Sequence, residues 1–167
     1  MKRGQFLVAG TGITGLYGEA ILIDLATLQI SKRFRGHRDL VYSVAISADG
    51  THLATSGYDK KSLLWNLNSA KPIAQFLGHN DAVFQNTFDH SGNRLLTASG
   101  DATVKVWRTS DGVRLDTRNE PLKAQQTVVI SPDGESFYSA GEDNRIRKWE
   151  LESSAPDQVN RLSISRF

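Results

Sequence analysis

Two groupings of reactive side chains invite a chemical reading. A hydroxyl, an imidazole and a carboxylate occur as Thr55, His37 and Asp59, and again 42 residues further on as Thr97, His79 and Asp101. Hydrolytic nucleophilic catalysis uses such a trio when the hydroxyl is accessible, the imidazole is free and oxyanion donors stand nearby. A catalytic constellation normally occurs once in a chain, so its return at a fixed interval points to structural service and to a chain that is not an enzyme. Gly10, Gly12 and Gly15 form G-x-G-x-x-G directly after the apolar run 6–9, the spacing of a pyrophosphate cradle. That cradle needs a following helix N-terminus. Here Leu16-Tyr17-Gly18-Glu19 leads instead into the strand-like AILIDL, which predicts a longer-than-usual hairpin loop and no cofactor. His52 and His90 fall near turns and share no metal-like spacing with other ligands, so they are expected to be exposed turn residues and no metal site is expected.

Composition narrows the classes further. The chain has 167 residues with 39% hydrophobic, 8% aromatic and 23% charged, which fits about one globular domain. With no cysteine, disulfide frameworks, thiol nucleophiles and thiolate metal sites are excluded. A net charge of +2 is too small to argue for nucleic acid or an anionic membrane as a partner. Arg145, Arg147 and Lys148, interleaved with Ile146, are expected to form a wet outer strand face. No apolar run approaches the roughly 20 residues of a membrane span, and no cleavable leader is evident, so the cytoplasm is the default expectation.

The elements that position these residues follow from the interval itself. Trp65, Trp107 and Trp149 are 42 residues apart, as are Asp59, Asp101 and Asp143, the hydroxyls Thr55, Thr97 and Ser139, and the turn glycines Gly50, Gly92 and Gly134. Within each period, short β-rich runs alternate with turn residues and helical periodicity is absent. Each period is therefore a small antiparallel sheet. Its fourth strand comes from the stretch after each Trp strand: 73–77, 113–117 and, more weakly, 162–167. Residues 6–35 fit an incomplete copy with Ile23 at the Trp position and no innermost strand. About fifteen strands are expected, and the units divide at 1–35, 36–77, 78–119 and 120–167.

Gly36-His37 and Gly78-His79, together with Asp59, Trp65-Asn66 and their repeats, resemble the WD-repeat family over nearly the whole chain. The resemblance implies an all-β fold, an incomplete β-propeller of about four four-stranded antiparallel blades, three full and one partial. It also implies that His, Ser or Thr, Asp and Trp form a hydrogen-bonded chain within each blade. Two sets are complete: His37, Thr55, Asp59, Trp65 and His79, Thr97, Asp101, Trp107. The third keeps Ser139, Asp143 and Trp149 but has Pro121 at the His position, so a lost imidazole link and a looser blade are expected.

The family further presents inner-strand and top-surface residues to partners, which nominates Tyr42, Phe84, Tyr58 and Glu142 for binding proteins or peptides. The competing reading has Tyr42 and Phe84 plugging the channel as core. A sensory or substrate-binding segment of a larger multidomain enzyme is the functional alternative. Family rings most often have seven blades, so the sequence predicts a piece of a longer propeller, two copies completing a ring, or four blades closing alone, the first being favoured.

Overall fold

The computed structural model describes residues 5–151, and all fourteen of its elements are strands. The first sheet contains β1 (Phe6–Ile13), β2 (Tyr17–Asp24) and β3 (Gln29–His37). The second runs β4 (Val41–Ile46), β5 (His52–Gly57), β6 (Ser62–Asn66) and β7 (Lys71–Phe76). The third runs β8 (Val83–Phe88), β9 (Arg94–Ser99), β10 (Val104–Arg108) and β11 (Arg114–Arg118). The fourth contains β12 (Gln125–Ile130), β13 (Ser136–Gly141) and β14 (Ile146–Glu150). Each sheet is an antiparallel meander in chain order. The outer strand expected at 162–167 lies outside the described residues.

The sheets follow one another in an arc. The innermost strand β4 packs beside β1 and β8, and β12 packs beside β8. Stacked sheets bury their faces in three apolar layers. Ala20, Leu22 and Phe34 meet Leu53, Leu63, Trp65 and Leu67. Ala54, Leu64 and Phe76 meet Phe88, Leu95 and Trp107. Leu96, Ala98, Val104 and Val106 meet Val128, Phe137 and Trp149. The fold is an incomplete all-β propeller.

Ile23 occupies the Trp register of the first sheet. It pairs with Leu7 as Trp65 does with Leu53, and a bulge precedes it in the outer pairing, just as bulges precede Trp65 and Trp107. The glycine-rich hairpin differs from the expected long loop. Its strands lengthen to eight residues each, and only residues 14–16 turn. Gly18 is the tight point: a Cβ there would stand 1.9 Å from the Asp39 carbonyl oxygen. At the tip Gly15, with φ +73°, donates its N–H to Asp39 Oδ1 at 3.0 Å. The glycines thus let the hairpin lie against the second sheet, and no helix follows them.

Candidate functional site

The repeated polar residues form a relay of hydrogen bonds in the second and third sheets. The Trp65 indole N–H donates to Thr55 Oγ1 at 2.9 Å. The Thr55 hydroxyl donates to His37 Nε2 at 2.8 Å, which leaves Nδ1–H to donate to Asp59 Oδ1 at 2.8 Å. Trp107, Thr97, His79 and Asp101 repeat the sequence at 2.8, 2.7 and 2.9 Å. Each imidazole is satisfied as the neutral form, with one nitrogen accepting and the other donating. The carboxylates also receive the backbone N–H of Arg38 and Asn80, so each relay ties the incoming loop to the middle strands.

Electrostatics reinforces this geometry. Burial lowers the pKa of His79 below 6.5, although Asp101 opposes the shift. Burial pushes Asp101 upward, but bonds from His79, Thr103 and Asn80 outweigh it and hold the carboxyl well below its usual range. Asp59 is lowered in the same way, with His37 and Arg38 overcoming burial. Thr55 and Thr97 are fully enclosed and already accept the indole proton, so neither can meet a substrate.

The fourth sheet ties its Trp–hydroxyl pair by a route that sequence reading missed. Trp149 donates to Ser139 Oγ at 2.9 Å, and the Ser139 hydroxyl donates to Gln125 Oε1 at 3.0 Å. Gln125 is fully buried and its amide N–H reaches the Lys123 carbonyl at 3.2 Å. An amide therefore takes the imidazole's place on Ser139, while the onward link to Asp143 is lost, as Pro121 at the His position implied. Asp143, with no imidazole to engage, sits 2.6 Å from Arg147, whose side chain is only 15% exposed. The expected wet face consequently fails at Arg147, and the guanidinium lowers the Asp143 pKa. A signal for the substitution existed in the chain: Val41, Val83 and Gln125 share the 42-residue spacing.

The same spacing links Phe34, Phe76 and Arg118. Phe34 packs edge-on to Trp65 at 5.9 Å and Phe76 tilts onto Trp107 at 5.8 Å, while the Arg118 guanidinium lies 5.7 Å from the centre of the Trp149 ring. His52 is half-buried, and its Nδ1–H donates to Thr51 Oγ1 at 2.8 Å, the Thr51 hydroxyl itself being given to Asp49 at 2.6 Å. His90, which is exposed, donates to the Ser131 carbonyl at 3.0 Å and so bridges the third and fourth sheets. His52 is thus a half-buried strand residue, whereas His90 stands in an exposed turn as expected. Among the described residues no cluster of His, Asp and Glu is placed to hold a metal, and no helix is long and apolar enough to cross a membrane.

The aromatic positions form a group of their own. Tyr42 stands 6.2 Å from Tyr58 and 5.6 Å from Phe84, measured between ring centres. Tyr42 is 45% and Tyr58 47% exposed, and Phe84 is half-buried. Glu142 holds the register of Tyr58 two sheets along: the N–H groups of Tyr58, Gly100 and Glu142 donate to Leu40, Ala82 and Ala124 respectively. Glu142 is exposed.

Stacked antiparallel sheets of three or four strands, two of them fastened by Trp–hydroxyl–imidazole–carboxylate relays, define a repeat propeller whose recurring polar groups are internal ties. The chain belongs to the WD-repeat family: the WD domain, G-beta repeat matches residues 28–66, 70–108 and 123–150. It is 35% identical over 141 residues to the small ribosomal subunit protein RACK1 of Drosophila melanogaster, covering 79% of this chain and 44% of that protein. It is also 31% identical over 152 residues to the small ribosomal subunit protein RACK1y of Oryza sativa subsp. japonica, covering 86% of this chain and 45% of the relative. The chain thus spans less than half the length of these curated relatives.

Proposed function

We propose that this chain is a non-catalytic interaction scaffold that binds proteins or peptides through the face carrying Tyr42, Tyr58, Phe84 and Glu142. The carrying observation is the grouping of three aromatic rings from two neighbouring sheets, two of them close to half exposed. Tyr and Phe are large, stiff groups that gain much from desolvation at low entropic cost, which suits them as interface anchors. The polar residues capable of chemistry are consumed in relays, which leaves recognition as the work of the surface. The names of the relatives add one partner class, a ribosomal small subunit, for this same face.

The Tyr42→Ala/Phe84→Ala double variant tests the reading. Partners captured by the wild-type chain, and co-sedimentation with small ribosomal subunits, should fall at least tenfold for the variant while its unfolding midpoint stays close to wild type, since loss of one anchor commonly costs about 2 kcal/mol of binding. Unchanged capture by a folded variant would place the binding surface elsewhere.

A further inference from the structure

The third sheet differs from the two before it at a pair of positions on its Trp-bearing face. One lies two residues before the Trp register, and the other lies opposite that register on the outer strand. They are Ile21 and Ile30 in the first sheet, Leu63 and Pro72 in the second, and Lys105 and Arg114 in the third. Side chains two apart on a strand, and those directly opposite across a pair, share a face, so both cations stand on the side of Trp107. Thr117, opposite Lys105, joins them there.

Lys105 is only 5% exposed, and burying an ammonium without a counter-ion is costly. The carboxylate nearest in the repeat is already engaged: Asp101 receives His79 Nδ1–H, the Asn80 N–H, and both the N–H and the hydroxyl of Thr103. The fourth sheet shows the converse, since Asp143 has no imidazole to hold and closes on Arg147, which occupies the Lys105 register. Among the described residues the side chains of Lys105 and Arg114 make no salt bridge and no hydrogen bond, and the Thr117 hydroxyl is likewise free. Burial pushes the Lys105 ammonium below its usual range; Asp101 opposes the shift and Arg114 adds to it. Space for a counter-ion lies beside Gly78. In the second sheet a Cβ at Gly36 would meet the Trp65 ring at 2.8 Å and Leu63 Cδ1 at 3.0 Å, so that contact is closed. A Cβ at Gly78 would first meet Arg114 Nη1 at 3.6 Å and the Trp107 ring at 3.7 Å, with no atom of Lys105 within 4 Å. Gly78 and Arg114 are exposed, so the space opens to solvent.

We propose that Lys105, Arg114 and Thr117 form an oxyanion site at the outer rim of the third sheet, beside Gly78, that takes a phosphate group. A phosphate presents enough oxygens to accept from an ammonium, a planar guanidinium and a hydroxyl at once, and its charge supplies what the engaged Asp101 cannot. A carboxylate satisfies fewer of these donors and carries less charge. The site is separate from the aromatic group, and its success or failure leaves that reading untouched.

The probes are inorganic phosphate and capped phosphoserine, with acetate for comparison, each titrated into the full chain at constant ionic strength. The NMR signals of the Lys105 and Arg114 side chains and of the Gly78 amide should shift saturably with phosphate, and acetate should bind about tenfold more weakly. Lys105→Leu, which installs the residue type of the second sheet, should abolish the shift at Gly78. Arg114→Ala should weaken binding about tenfold, whereas Lys71→Met, at an exposed position of the second sheet, should leave it unchanged. Tighter binding of phosphoserine than of inorganic phosphate would assign the group to a phosphorylated chain, and the reverse order to the free ion; both support the site. The proposal is overturned if phosphate produces no saturable shift, if acetate binds as well as phosphate, or if folded Lys105→Leu binds as the wild type does. The wild-type titrations decide the matter even if Lys105→Leu fails to fold.

Discussion

A buried hydroxyl that accepts from an indole and donates to an imidazole has no spare capacity, and this is what separates Thr55 and Thr97 from nucleophiles. Thr97→Val keeps the shape while leaving the Trp107 N–H and His79 Nε2 unpaired. It should cost about 2–4 kcal/mol in urea unfolding, at ~1–2 kcal/mol for each orphaned group. His79 makes a pH prediction. Its pKa in the folded chain lies below 6.5, so the unfolded chain takes up the proton first and stability falls as pH drops below about 6.5. The depressed Asp101 adds a further loss at lower pH, as its carboxyl is forced to protonate. His79→Gln should flatten the unfolding midpoint between pH 7 and pH 5, at about the pH range where free imidazole titrates. The relays in the second and third sheets were legible because four residue types share one interval. Gln125 was not, since an isolated glutamine at a valine position looks like an exposed strand residue until Pro121 is seen to vacate the space that its amide fills.

At the scale of elements, each sheet packs its Trp face on the back of the sheet before it, and the partner of the indole decides how dry that contact is. Phe34 and Phe76 make it apolar, whereas Arg118 brings a buried guanidinium whose Nε lacks a partner. Arg118→Phe should therefore raise the unfolding temperature by a few degrees, because replacing an imperfectly paired buried ion with a well-packed ring is commonly stabilising. Gly18→Ala should do the reverse and lower stability by about 2 kcal/mol or more, since its Cβ would collide with the Asp39 carbonyl. Strand existence and order could be read from period-2 runs between turn residues. The hairpin ends could not, because Gly12 and Gly18 read as loop residues in sequence while the structure keeps them paired within strands.

Across the whole molecule, repetition makes the arc nearly one-dimensional, so each sheet is supported by its neighbours and little else. Trp149→Phe should accordingly speed amide exchange in the third and fourth sheets while leaving the first unaffected. The grouping of Tyr42, Tyr58 and Phe84 also belongs to this scale: Tyr42 and Phe84 come from separate periods and meet because the inner strands of adjacent sheets lie side by side, a face the family resemblance nominated and ring distances define. The central claim, that the recurring polar residues are internal fasteners, is tested most directly by the exchange of the three indole N–H protons in heteronuclear NMR. Trp65, Trp107 and Trp149 should give three indole signals that persist in deuterated buffer, with Thr97→Val accelerating the loss of the Trp107 signal alone. Indole signals that vanish on dilution into deuterated buffer, while the chain remains folded, would contradict the account.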